Sequence, residues 1–296
     1  MNLNELGQKN LDEIVESIAT DMENHDVTKP YEPRWVTKLH GNILGYKYTG
    51  FNQFHLNMKY GDSTPLWGTY FQYNKLGLHP RKGTGKPLWQ PTIRKQKDKK
   101  TGEEKVIPGF KTIAIFNIDE VDGDGEVIYN LKDQYLPKTK YAKNTNYTEI
   151  DNWIDKLDAT IEHGSNMACY IPTSDKIKMP MFDSFTTREH YYATLFHEIT
   201  HWTGHNSRCN RKLSGKYGAS EYAFEELIAE LGASFHMASW NLFHTTRMDH
   251  VHYLKSWAKA LRDKPDSLRK ACKYASESYF YLQHDSLGSF DNAVNN

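Results

Sequence analysis

His197 and His201 stand four residues apart with Glu198 beside the first, in the string HEITH. On an α-helix that interval returns to the same face, so the two imidazoles can converge on one metal ion. The implied chemistry is hydrolytic. The ion makes water acidic, and Glu198 takes its proton. The helix that must carry the motif is also legible. Between positions 189 and 203, Tyr192, Leu195, Phe196, Ile199 and Trp202 recur at helical spacing and define a buried stripe. Gly204 follows as the expected C-cap.

Two imidazoles fall short of the usual set of three protein ligands plus water. A second helix is expected over 220–240, where Ser220 can cap a run of good helix formers carrying Glu225, Glu226 and Glu230. Glu226 and Glu230 are four apart and share a face. The pair resembles the gluzincin pattern, in which a ligand Glu is followed four residues later by an acid that orients a ligand His. That pattern makes Glu226 the third ligand and Glu230 the orienting acid. Glu230 and His205 stay open as rival third ligands. The expected cofactor is one Zn2+ per chain, with Mn2+ or Co2+ as substitutes. The expected enzyme class is a zinc-dependent metallopeptidase.

The chain has 296 residues and a formal net charge of zero, with 37 Lys and Arg against 37 Asp and Glu. The balance is uneven along its length. Residues 29–143 hold 20 basic against 11 acidic side chains, and the remainder holds 17 against 26. A basic first half points to an anionic partner. Three scattered cysteines, Cys169, Cys209 and Cys272, give no disulfide framework and no C-x-x-C zinc site. The start is polar and amphipathic, unlike a signal peptide, and no run is long enough to span a membrane. A cytoplasmic location with no membrane partner is therefore expected.

The fold class expected is α+β: a small basic N-terminal domain containing a sheet, then a mainly helical zincin-like metallopeptidase domain. The boundaries are 1–135, a lysine-rich linker at 136–149, and 150–296. An amphipathic helix is expected over 3–22, with Leu6, Leu11, Ile14, Val15 and Ile18 on one side. Short strands are expected at 44–48, 68–73, 106–108, 112–117 and 167–171, and a helix at 150–162. The charge-dense run 94–105 reads as a hairpin or loop. The run 117–126 lacks the order of a calcium loop and reads as a turn.

In the basic half, aromatic residues such as Tyr46, Phe51, Phe71, Tyr73 and Trp89 interleave with Lys38, Lys47, Lys59, Lys75 and Lys86. Flat rings that stack on bases, and cations that follow phosphates, are how single strands are held. No recognition helix for duplex DNA is evident.

Several stretches resemble the ArdC-type antirestriction proteins of conjugative plasmids. In the first half they are 48–52 (YTGFN), 67–72 (WGTYFQ), 81–83 (RKG), 116–119 (FNID) and 121–123 (VDG). In the second they are 168–170 (ACY), 175–180 (DKIKMP), 197–205 (HEITHWTGH) and 224–230 (FEELIAE). Cys209 departs from the pattern, which has Leu after Arg208. The resemblance implies an N-terminal domain that binds single-stranded DNA, a C-terminal zincin-like peptidase domain, and protection of incoming plasmid DNA from host restriction. Tyr48, Trp67, Tyr70, Arg81 and Lys82 are the candidate DNA contacts, and residues 1–135 are expected to bind single-stranded DNA alone. A peptide substrate, such as part of a restriction system, would lie along 175–180 as an edge strand. Tyr170, His250, His252 and Tyr253 are candidate oxyanion partners. Two rival readings are a protease that cuts a regulatory or host protein, with DNA binding as targeting, and a DNA-binding protein whose metal site is structural.

Overall fold

The fold is given by a computed structural model that describes residues 2–26, 28–29, 35–97, 104–136, 147–213, 220–242 and 254–283. The side chains of 93–97, 104–109 and 220 are not among those described.

In chain order the elements of the first half are α1 (Leu3–Asn24), β1 (Gly41–Asn42), α2 (Gly50–Tyr60), β2 (Leu66–Thr69), α3 (Tyr70–Lys75), β3 (His79–Pro80), β4 (Lys86–Lys97), β5 (Glu104–Asn117), β6 (Val121–Asp122) and α4 (Gly125–Tyr135). Those of the second half are α5 (Tyr147–Ile154), β7 (Thr160–His163), β8 (Cys169–Ile171), β9 (Lys176–Met179), α6 (Arg188–Thr203), α7 (Ser220–Ser239), α8 (Leu254–Asp263) and α9 (Asp266–Leu282). The architecture is α+β, with helices dominating the second half.

The helix over 3–22 forms, extended by one half-turn. Asn2 and Glu5 close a capping box on α1, and Leu11, Ile14, Val15, Ile18 and Met22 line its buried stripe. The charge-dense run 94–105 lies in the arms and tip of the β4–β5 hairpin, paired in register from Lys86↔Ile115 to Lys97↔Glu104; its tip lies outside the described residues. Three expectations were wrong in detail. The strand expected at 44–48 is a turn with the isolated bridge Gly41↔Lys47, and the strand before it is Gly41–Asn42. Residues 68–73 end strand β2 at Thr69 and are helical from Tyr70, because Thr69 and Gln72 form a second capping box that starts α3. The helix expected over 150–162 ends at Ile154, and its second half gives β7. Most of the linker expected at 136–149 lies outside the described residues, and α5 begins inside it at Tyr147.

The largest core draws on both ends of the chain. Leu11, Ile14, Val15, Ile18 and Met22 of α1, and Phe51 and Phe54 of α2, pack in one cluster with Leu227, Ile228, Leu231 and Phe235 of α7, Trp257 and Leu261 of α8, and Leu268 and Cys272 of α9. Polar ties run across the same boundary. The Gly50 amide donates to Ser276 Oγ at 2.7 Å, and Arg262 Nη2 reaches Glu16 Oε1 at 2.9 Å. A second core, around Leu195, Phe196 and Ile199 of α6, packs α6 on the small sheet and on Ala233 and Met237 of α7. Helix α7 therefore stands between the two cores.

Candidate metal centre

Helix α6 is held at both ends by its own sequence. Thr187 Oγ1 accepts the His190 amide at its start, and the Gly204 amide donates to the His201 carbonyl at its end. Nearly every residue from Tyr191 to Thr203 is buried, so its polar groups must find partners inside the protein. Helix α7 crosses it closely. An ideal Cβ on Gly232 would lie 2.4 Å from Thr200 Oγ1, so only glycine permits this approach. The crossing brings the acids of α7 onto the histidines of α6.

The Nε2 atoms of His197 and His201 lie 3.0 Å apart. Glu226 Oε2 is 3.3 Å from the first and Glu226 Oε1 is 3.5 Å from the second. Four-coordinate zinc, with bonds of roughly 2.0–2.2 Å, separates its ligand atoms by about 3.4 Å. These three donors already stand at that spacing. Among the described residues they form the group able to hold a metal ion. The opposite edges of the rings meet other acids: His197 Nδ1 lies 3.4 Å from Glu230 Oε1, and His201 Nδ1 lies 3.3 Å from Glu225 Oε1. Acids on both Nδ1 atoms leave both Nε2 lone pairs facing Glu226.

The electrostatics follow from this enclosure. Burial disfavours an imidazolium at His197, but the carboxylates of Glu226 and Glu230 beside it outweigh that and push its pKa up to about 9. His201 is likewise opposed by burial, and Glu226 and Glu225 push it up to about 10. Burial raises Glu226, yet the two histidines hold it well below the usual carboxylate range.

Glu198 lies on the sheet side. Its Oε2 accepts the Tyr170 amide at 2.8 Å. The sheet order is β7-β9-β8, so 176–179 is the central strand and not the edge expected of 175–180; β7 and β8 are the two outer strands, and Tyr170 lies on β8. β9 is flanked on both sides because β7 pairs with it parallel and β8 antiparallel. The Tyr170 phenol is engaged away from the site, donating to Asp175 Oδ1 at 2.8 Å. Asp175 is in turn clamped by Arg208, whose Nη1 reaches Oδ2 at 3.0 Å and whose Nε donates to the Trp202 carbonyl at 2.7 Å. This chain of bonds ties the β8–β9 turn to the end of α6. His205 turns away from the donors, its Nδ1 meeting Ser207 Oγ at 2.8 Å. His250, His252 and Tyr253 lie outside the described residues.

The five candidate DNA contacts are not equivalent. Trp67 is fully buried, with its indole N–H donating to His40 Nδ1 at 2.9 Å, so it presents no face for a base. It serves the core because the small sheet needs large apolar filling there. Tyr48 is half-buried against the same cluster. Tyr70 is 55% exposed, and its neighbour Phe71 is 64% exposed with Lys75 Nζ 4.7 Å above its ring. Arg81 and Lys82 are exposed, and Arg81 Nε meets Asp122 Oδ1 at 2.9 Å. Sequence reasoning did not single out Phe71 as a contact. The capping box at Thr69 and Gln72 was the available signal, since it puts the pair 70–71 on a short surface helix.

Comparison with known proteins divides the chain in the same order. Residues 8–116 match the N-terminal domain of anti-restriction factor ArdC, and residues 148–274 match the zincin-like metallopeptidase family. The protein y4eC of Sinorhizobium fredii is 33% identical over 226 residues, which is 73% of this chain and 70% of that protein. DNA primase TraC of Escherichia coli is 30% identical over 259 residues, which is 80% of this chain but 17% of that TraC. The crystal structure of antirestriction protein ArdC from plasmid R388 in its metal-free form is 32% identical, covering 96% of this chain and 98% of that one, with a TM-score of 0.71. The Mn(II)-bound form is 30% identical over 94% of this chain and 98% of that one, with a TM-score of 0.68.

Proposed function

The chain belongs to the ArdC antirestriction family, and from that premise we propose that it binds single-stranded plasmid DNA on its basic half and hydrolyses a peptide bond at its metal centre, protecting incoming DNA from host restriction. The observation that carries the peptidase half is the convergence of His197 Nε2, His201 Nε2 and Glu226 at tetrahedral spacing. These residues would hold a divalent ion. Zn2+ suits the donor set, and the Mn(II)-bound relative favours Mn2+ as a second occupant. Such an ion supplies Lewis-acid chemistry, polarising a carbonyl and lowering the pKa of water.

The chain's own groups do the rest. Glu198 accepts a proton at its carboxylate and returns it to the leaving amine. The Tyr170 amide fixes that carboxylate against the outer strand β8. A substrate laid along β8 by main-chain pairing would pass Glu198 directly. Glu230 and Glu225 hold the two imidazoles in the tautomer that turns Nε2 inward. No described helix is long and apolar enough to cross a membrane.

The deciding experiment is a restriction-protection assay in cells carrying wild type or Glu198→Ala. Protection lost in a variant that keeps its metal and its DNA affinity makes hydrolysis part of the function. Full protection by Glu198→Ala would reject the peptidase half and leave the metal a structural role.

Two expected outcomes bear on the halves separately. Protons and the ion compete for the same Nε2 atoms. With His197 pushed up to about 9 and His201 up to about 10, the metal-free site is protonated at neutral pH and binding releases protons. Affinity should therefore rise with pH, about ten- to a hundredfold per unit, and level off only above about pH 10. Competition with a chelator across pH 6–9 (roughly the working range of common buffers) measures it; a flat profile excludes these histidines as ligands. On the DNA side, stacking contributes about 1–3 kcal/mol per base. Tyr70→Ala with Phe71→Ala should weaken single-stranded DNA at least about tenfold by fluorescence anisotropy, and added salt should weaken wild type steeply. Unchanged affinity in that double variant would move the interface elsewhere.

A further inference from the structure

Resting on the metal reading above, we infer that Arg211 and Glu225 are positioning residues of the metal centre, a buried ion pair that sets the orientation of His201. Glu225 is the neighbour of the proposed ligand Glu226, and adjacent residues on a helix point about 100° apart. Its carboxylate therefore meets His201 from the Nδ1 edge, at 3.3 Å, while Glu226 faces Nε2. Arg211 holds that carboxylate from behind. Its Nε lies 3.2 Å from both Glu225 oxygens, and its Nη2 lies 2.9 Å from Oε1. Two further bonds anchor it: Nη1 reaches Thr203 Oγ1 at 3.0 Å and Nη2 the Thr200 carbonyl at 2.6 Å.

The arrangement is built rather than incidental. The Arg211 side chain is 3% exposed and that of Glu225 is 8% exposed. The turn after α6 folds back so that the Arg211 amide donates to the Gly204 carbonyl at 2.9 Å. A Cβ on Gly204 would come within 2.9 Å of Arg211 Nη2, so glycine makes room for the guanidinium. The carbonyls ending a helix lack partners within it and carry partial negative charge, and Arg211 answers both. Its charge also offsets a local excess. Glu198, Glu225, Glu226 and Glu230 are all buried around two histidines. The guanidinium fixes the Glu225 carboxylate in place, and an anchored acceptor at Nδ1 fixes the ring that presents Nε2.

The test uses the full chain and reads metal affinity, with Mn(II) and Zn(II) as probes in chelator competition. Two variants are needed: Glu225→Gln, which keeps the shape, and Arg211→Met with Glu225→Met, which replaces both charges by apolar groups. Replacing both members of a buried pair is often neutral for stability. The proposal expects a loss of about ten- to a hundredfold in affinity in both, the range found when outer partners of metal ligands are removed. It also expects the thermal midpoint of the metal-free double variant to stay near wild type, while that of Glu225→Gln, which leaves the Arg211 guanidinium buried without its partner, falls. Wild-type affinity in both variants, or a lowered midpoint with undiminished affinity, overturns it and makes the pair merely structural. A wild-type chain that binds no metal would sink the metal reading itself, which is a separate result. If the double variant does not fold, Glu225→Gln still decides.

Discussion

A chain carrying His197→Ala with His201→Ala is expected to fall from about one bound divalent ion to none detectable by elemental analysis. The reason is the geometry of the donors. Both Nε2 atoms and Glu226 enclose one point, and deleting the imidazoles leaves a single carboxylate there. Binding of a structural zinc ion by a full ligand set is worth about 10–16 kcal/mol in small domains, and one carboxylate cannot replace it. Circular dichroism on the variant separates loss of the ligands from loss of the fold, because Glu226 and Glu230 lose their buried partners together with the imidazoles. Undiminished metal in a folded double variant would show that the ion sits elsewhere.

The second large effect concerns dividing the protein. Residues 1–135 expressed alone should fail to reach a stable fold, contrary to what the charge split along the sequence led us to expect. Leu11, Ile14, Val15, Ile18 and Met22 of α1 bury their side chains in a core completed by α7, α8 and α9. Each such burial contributes about 1.5–3 kcal/mol, together on the order of 10 kcal/mol. That is comparable to the whole stability of a domain, about 5–15 kcal/mol. Calorimetry of the intact chain should give one cooperative transition, raised by metal and by single-stranded DNA alike. A fragment 1–135 that unfolds cooperatively and binds DNA as tightly as the intact chain would refute this.

Some of this was legible in the sequence, for a physical reason. Helices α1, α6 and α7 show because a buried stripe imposes a 3.6-residue period, and HEITH shows because metal ligation demands a fixed interval on one face. Other features need packing to be seen. Glu225 and Glu226 are adjacent identical acids, and only the crossing at Gly232 decides which edge of His201 each one meets. Trp67 and Tyr70 lie three residues apart in one aromatic run, yet one is core and the other surface, since composition does not tell a stacking ring from a buried one. The place of 176–179 at the centre of its sheet depends on β7, from a segment that reads as the tail of a helix.

The common core of α1, α2, α7, α8 and α9 has a consequence for descent. Two family segments that fold by burying each other's surfaces cannot be exchanged as cassettes. A crossover falling between them would hand one recipient an amphipathic helix with nothing to cover it, and the other the helix of Glu226 with one side bare. Recombination should then be purged at this junction and tolerated outside it, so that the two are inherited as one block. The match to TraC agrees: 80% of this chain aligns, across both segments, within 17% of that protein's length.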